Sequence, residues 1–428
     1  MTFLQVRMEA ADVPVGYLES TDDGGIEFTY NPEYLHQLGA HPISLALPLR
    51  DEPFSDYLTR PFFQNLLPEN DQLRAVIERE GLDQSNLVGI LHHVGADLAG
   101  ALSCLPINSP PSKIPGNLHT DYLNLDDGQL VEIVQRLGSR RPLPDELRDP
   151  SPVAGYQQKI ALVSTPRGFA VPRPNLGVPT THILKVPDTS LPREAFYEAW
   201  AADIGRNVGL DVAPSQSLWI GDYEVLLATR FDRTIEEDGS ISRIHQEDFA
   251  QALGLPPRLK YEREGREGRA YTAAAIAGLL QGTASPAESI GQFLLATFFN
   301  LCIGNTDNHA KNHALIYDVG PIPRLAPLYD LVPIRLSENH HHKFAFSLGT
   351  AKQAEDLTPP DLRLFLGAFG YSAAAAERYI ERRLVPLLQR LSLPREASDL
   401  WAEKFMALVA TESSRLLKLT HAGTSAHA

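Results

Sequence analysis

A chain of 428 residues, 43 % apolar and 21 % charged, has the make-up of a globular protein with room for two or three domains. Its two cysteines, Cys104 and Cys302, lie far apart without metal-type spacing, which excludes a disulfide scaffold and argues for a reducing compartment. Most of the net charge of −15 sits in residues 1–110, where 16 acidic side chains stand against 5 basic ones, compared with 37 and 33 in the remainder; such a surface repels nucleic-acid phosphates and suits a basic protein partner or plain solubility.

Met1 to Glu9 shows no basic region followed by an apolar stretch, so no secretory signal is expected. Leu4 to Met8 alternates as a strand should, Gly16 to Leu18 begins another, and Asp22-Asp23-Gly24-Gly25 turns the chain into a third at Ile26 to Tyr30. Phe62 to Glu80 reads as helical, interrupted near Pro68. Residues 1–105 therefore form a compact α+β unit. Pro106 to Gly116 holds four prolines and two serines and opens a linker region taken as 106–152, with Arg136 to Pro152 irregular. Lys159 to Val163 and His182 to Val186 are apolar strands, 192–208 is a helix stopped by Gly209, and Tyr223 to Phe231 is a further strand. After Arg233 the pattern is mainly helical. Ser285-Pro286-Ala287-Glu288 carries the signature of a capped helix start, and that helix runs to Ile303 before Gly304. Its most apolar part, 293–303, is too short to cross a bilayer and contains Asn300. A cytoplasmic protein without a membrane partner is expected. A polar loop, a strand at His313 to Tyr317 and a short strand ending near Asp330 follow, and 359–420 reads as helical throughout.

The loop Asn305-Thr306-Asp307-Asn308-His309-Ala310-Lys311-Asn312-His313 says most about chemistry. Asp307 and Asn312 stand five positions apart, the offset of kinase catalytic loops, in which Asp is base or orienter and Asn a magnesium ligand. Asp330 supplies a second carboxylate. Singly, Asp307 reads as a turn aspartate, Asn312 as a loop cap and Asp330 as a partner for Arg335. Together they are the small set that phosphoryl transfer requires, a positioned nucleophile and a metal that neutralises phosphate charge. Lys185, at a strand end, can reach phosphates as a point charge, with Glu198 on the following helix as an ion-pair partner. Val153-Ala154-Gly155 leads to Lys159 as a phosphate-covering loop with a single glycine, and Phe231 can pack on an adenine or serve as core. His309 and His313, four apart, form no zinc motif, because they lie in a loop and no Glu follows the first. The order of strand-rich lobe, connecting strand and helical lobe is that of a bilobal, protein-kinase-like α+β fold, and a cleft is a natural place for a nucleotide. Residues 153–233 are the N-lobe core and 234–428 the helical C-lobe.

Taken together, these motifs resemble the HipA family of bacterial toxin–antitoxin serine/threonine kinases, over most of the chain. Pro61 to Glu69 and Gly95 to Leu102 resemble that family's amino-terminal domain. Val153 to Lys159, His182 to Lys185, Arg230 to Arg233, Ile244 to Gly254, Gly304 to Asn312 and Leu328 to Asp330 resemble its kinase core. The resemblance implies dependence on ATP and Mg2+, with Asp307 as catalytic base, Asn312 and Asp330 as metal ligands and Lys185 in contact with ATP. His309 and Lys311, inside the matching loop, join the nucleotide-binding candidates. It also implies a small helix-turn-helix antitoxin as partner, operator DNA reached through that antitoxin, and a protein substrate such as an aminoacyl-tRNA synthetase, with growth arrest as the outcome. One departure stands out. The serine whose autophosphorylation silences family members is replaced by Pro152, and Ser151, one residue earlier, is the autophosphorylation candidate. Tyr156 stands where a small residue is common. A kinase-shaped corepressor that only binds its antitoxin and a small-molecule kinase are the competing readings.

Overall fold

Alternation of apolar and polar side chains builds the first sheet. Ile26, Phe28 and Tyr30 point inward from the strand Ile26–Tyr30 while Glu27 and Thr29 lie half out. This strand, Gly16–Ser20, Phe3–Met8 and Leu102–Pro106 are neighbours in that order, all antiparallel. The helices Asp56–Asn65 and Leu87–Val94 close one core with this sheet, in which Phe28, Phe54, Phe62, Phe63 and Leu91 are fully or almost fully buried. The computed structural model describes residues 3–9, 11–67, 71–144, 158–187, 191–266, 268–337 and 342–421. These divide into two compact units, one of Met1–Asp188, Leu218–Pro257 and Ala314–Arg324, the other of Thr189–Ser217, Arg258–His313 and Leu325–Ala428.

The first unit holds a second antiparallel sheet. Its strands Tyr223–Thr229, His182–Val186, Gln158–Thr165, Gly168–Pro172 and Tyr122–Asn124 are successive neighbours. Across it lies the helix Asp127–Gly138, whose Ile133, Val134 and Leu137 share a core with Ile160, Leu162, Leu184 and Val225. The stretch expected as a linker is therefore partly structural. The helix was legible, because Asp126 and Gln129 form a reciprocal capping box, but the surrounding prolines masked it. Lys113, in the same stretch, is buried and paired with Asp97 at 2.8 Å, and desolvation lowers its ammonium to about 8. The chain also stays extended beyond Arg233, contrary to the helical expectation. Arg233–Ile235 and Ser240–Arg243 form a hairpin, and His245–Asp248 pairs with Ala314–Tyr317.

Two buried polar clusters tie distant parts of this unit together. Arg243 donates to Glu9 at 2.5 Å, with both side chains 2 % exposed. Glu247 accepts from Ser44 Oγ at 2.5 Å, the Leu45 N–H at 2.9 Å and the Tyr317 hydroxyl at 2.7 Å. Burial nevertheless raises its carboxyl to about 7, against the opposing pull of those donors.

The second unit is mainly helical. Glu194–Asn207, Ala273–Gln281, Pro286–Ile303 and Leu400–His421 are its principal helices. The expectation of one helical run over 359–420 is corrected. Pro359–Ala368 stops before Gly370 at φ 85°, and Ala373–Tyr379 starts from a Ser372 cap. A single π turn, Ile380–Leu384, precedes Pro386, and the chain leaves helical geometry between Ser392 and Leu400. Ser285 does not cap its helix through its side chain, since its backbone at φ −133°, ψ 76° is not in the extended cap conformation. Among the described residues no helix is long and apolar enough to cross a membrane.

Candidate active site

The helix Pro286–Ile303 is apolar because it is buried on nearly every face, with Phe293, Phe298 and Phe299 at 0 % exposure. It ends in a Schellman motif. Gly304 takes φ 74°, its N–H donates to Leu301 O at 3.2 Å, and the Asn305 N–H donates to Asn300 O at 2.9 Å. A Cβ at Gly304 would meet Leu408 Cδ2 at 2.9 Å and Arg335 Cβ at 3.1 Å. Gly304→Ala is expected to cost about 1–2 kcal/mol, read as a melting temperature lower by a few degrees; an unchanged melting curve would show that the turn tolerates a side chain.

From that fixed end the polar loop is wired residue by residue. The Asn305 carboxamide donates to Asn300 Oδ1 at 2.9 Å and to the Asp330 carbonyl at 3.3 Å. Its Oδ1 accepts the Asp307 N–H at 3.2 Å. Asn312 Nδ2 donates to the Asp307 carbonyl at 2.8 Å, and so does the His309 N–H at 2.9 Å. One buried amide thus spaces Asp307 from Asp330, and a second closes the loop around Asp307. The bland expectation for Asn312, a loop cap, is realised by its nitrogen. Its Oδ1 makes no hydrogen bond among the described residues. Asp330 is held at φ 59° in the left-handed region, not in the extended backbone of a strand end. Just before it, the Leu328 N–H donates to Asp211 O and the Ala213 N–H to Leu328 O. Such strain persists only where surrounding structure over-determines it. Arg335, the alternative partner considered for Asp330, pairs with Glu355 and Glu412, each at 2.7 Å.

His309 is buried, with its ring edge-on to Tyr261 at 5.2 Å between centroids. Burial first, and then Lys260, lower its imidazole to about 4, while Asp307 and Asp330 both pull the other way. Both carboxylates therefore act on this one ring. Lys311 lies in the loop, where its carbonyl accepts the Tyr329 hydroxyl at 2.8 Å. Tyr261, 46 positions before Asp307, donates its hydroxyl to Asp307 Oδ1 at 2.5 Å. The sequence offered no sign of Tyr261 or of the bridging role of Asn305. The only available hint was polar Asn300 near the end of an apolar helix, five positions before Asn305. Among the described residues no three His, Cys, Asp or Glu side chains are grouped to hold a metal.

The remaining candidates lie in the first unit. Lys159 and Lys185 are directly opposite in register on Gln158–Thr165 and His182–Val186, so two like charges share one face, an arrangement that costs stability unless it serves a ligand or anionic neighbours. Lys185 is buried and Lys159 half-buried. Phe231 is half-buried in the turn after Tyr223–Thr229, with Asp232 beside it gripped by Arg230 at 2.9 Å and Arg233 at 2.8 Å. Ser151, Val153, Ala154 and Gly155 lie outside the described residues.

Comparison with known proteins agrees with this architecture. The family described as HipA-like C-terminal domain matches residues 151–389, and that described as HipA N-terminal domain matches residues 4–105. Y4mE of Sinorhizobium fredii, provisionally designated a kinase, is 36 % identical over 335 residues, 78 % of each chain. The serine/threonine-protein kinase toxin HipA of Shewanella oneidensis is 26 % identical over 381 residues, 86 % of this chain and 84 % of that one. A solved complex of HipA, HipB and operator DNA from Shewanella oneidensis contains a chain that superposes with a TM-score of 0.81 at 23 % identity, covering 99 % of this chain and all of that one. That likeness establishes the α+β, kinase-like fold. With its two family regions side by side and relatives named as kinases, the chain belongs to the HipA family.

Proposed function

We propose that this chain is the toxin of a toxin–antitoxin pair, a serine/threonine protein kinase that uses ATP and Mg2+. The observation that carries the reading is the wiring of Asp307 to Asp330 through Asn305, and of Asn312 to Asp307, at the end of one rigid helix. Asp307 takes the proton of an acceptor hydroxyl as that oxygen bonds to the phosphoryl group and ADP leaves. Asn312 and Asp330 suit magnesium, which takes few protein ligands and keeps several waters. In support, Asn312 Oδ1 makes no hydrogen bond among the described residues, and the backbone strain at Asp330 has an evident purpose if its carboxylate is a ligand. When bound, the metal neutralises phosphate charge. Lys185 and Lys159 contribute positive charge toward phosphates, and Phe231 an apolar face toward a base.

The partner we propose is a small helix-turn-helix antitoxin, with operator DNA reached through it; in support, the HipA of Shewanella oneidensis has been solved together with HipB and its operator DNA. The acidic first quarter suits such a basic partner. The substrate we propose is a translation component such as an aminoacyl-tRNA synthetase. The test is incubation of the chain with labelled ATP, magnesium and a cell lysate. Labelled protein supports the reading. Label confined to small molecules would make the chain a small-molecule kinase, and no transfer at all would leave a corepressor.

A further inference from the structure

We propose that the Tyr261 hydroxyl is a positioning group for phosphoryl transfer, holding Asp307 so that one carboxylate oxygen stays open to the acceptor. The inference rests on the kinase reading above and adds a residue to it. Tyr261 Oη donates to Asp307 Oδ1 at 2.5 Å. Asp307 Oδ2 makes no hydrogen bond among the described residues. A carboxylate on a loop has a freely turning terminal torsion, and a general base must keep its orientation within about 10–20°. A single charge-assisted hydrogen bond from a fixed hydroxyl supplies that constraint.

The hydroxyl is fixed because its ring is. Arg263 lies over the ring with Cζ 3.8 Å from its centroid, Lys260 Nζ stands at 5.6 Å, and the His309 ring meets it edge-on at 5.2 Å. The backbone is tied as well. The Ala310 N–H, inside the catalytic loop, donates to the Lys260 carbonyl at 3.1 Å. The Ser347 N–H donates to the Glu262 carboxylate, and the Glu264 N–H to the Tyr261 carbonyl at 3.1 Å. Tyr261 is thus registered to the loop it steadies. In the transfer step the acceptor's proton goes to Asp307 Oδ2, the acceptor oxygen bonds to phosphorus, and ADP is released. The Tyr261 proton stays on its own oxygen.

The experiment compares the full-length natural chain with Y261F, which retains the ring and its packing and removes only the hydroxyl. Initial rates of label transfer from magnesium-ATP into lysate protein are measured over a range of ATP concentrations, alongside melting curves. The expected result is a maximal rate at least threefold lower, about tenfold as the central value, with the KM for ATP and the melting temperature nearly unchanged. Rates within threefold of the natural chain would overturn the proposal. So would a faster Y261F chain, which would make the hydroxyl a plug, or a loss of rate accompanied by a proportionate loss of fold or of ATP binding. A natural chain that labels no protein removes the kinase reading itself, and this inference with it, which is distinct from a natural chain that labels and a variant that labels equally well.

Discussion

Asp307→Asn is expected to abolish transfer, lowering the maximal rate about 10³-fold, within the range for loss of a general base, while leaving the fold intact. Asparagine keeps an oxygen that accepts the Tyr261 hydroxyl. The loop's other ties to this residue run through its backbone, the N–H to Asn305 Oδ1 and the carbonyl to Asn312 Nδ2 and the His309 N–H. What asparagine lacks is an anionic oxygen to take a proton. A factor of 10³ corresponds to about 4 kcal/mol of barrier, far more than a neutral substitution at a half-buried position takes from stability. Labelled ATP with lysate protein measures the rate, and a melting curve measures the fold. Near-normal labelling would remove Asp307 from the base role.

Glu247→Gln is expected to gain stability relative to the natural chain as pH rises from 4.5 to 8. The Glu247 carboxyl, raised to about 7 from an ordinary 4.5, binds its proton more tightly folded than unfolded. Its contribution is therefore complete below the unfolded value and is lost as pH rises through about 7, a swing on the order of 3 kcal/mol. Glutamine has no proton to lose; its Oε1 can accept from Leu45 and Tyr317 while its Nε2 donates to Ser44 Oγ. His245, lowered to about 3 chiefly by burial, acts in the opposite sense, losing stability as pH falls below about 6.5, but it is common to both chains and drops out of the difference. Urea unfolding of the two chains at pH 4.5 and pH 8 gives the comparison. A stability difference that does not change with pH would mean that Glu247 titrates normally.

Three strands of the first sheet were legible because they alternate, whereas Leu102–Pro106, buried along almost its whole length, shows no period; the helix ending at Gly304 was legible because an apolar run met a glycine. The proposed trio stands out in the sequence because Asp307 and Asn312 share one short loop at the spacing of kinase catalytic loops. Asp330 was proposed from its local motif, and its left-handed backbone was not foreseen, since no local pattern around Tyr329 signals it. Tyr261 was invisible for a different reason. Its role is a tertiary contact across 46 positions, and a tyrosine between Lys260 and Glu262 reads as any surface aromatic. The hairpin after Arg233 was missed because its strands are three and four residues long, too short for a period to register. The helix Asp127–Gly138 was missed because proline-rich flanks suggested a linker.

The pairing of Glu9 with Arg243 bears on any attempt to dissect the protein. The two family regions look like separable modules, yet a carboxylate from the first is the counter-charge of a guanidinium in the second, and each side chain is only 2 % exposed. A fragment comprising residues 151–389 alone would lose Glu9 and with it the cover over Arg243, baring to water a surface that is buried in the whole chain, and is expected to accumulate as insoluble material on expression. The amino-terminal region is thus packed into the same compact unit as Arg243 rather than appended to it.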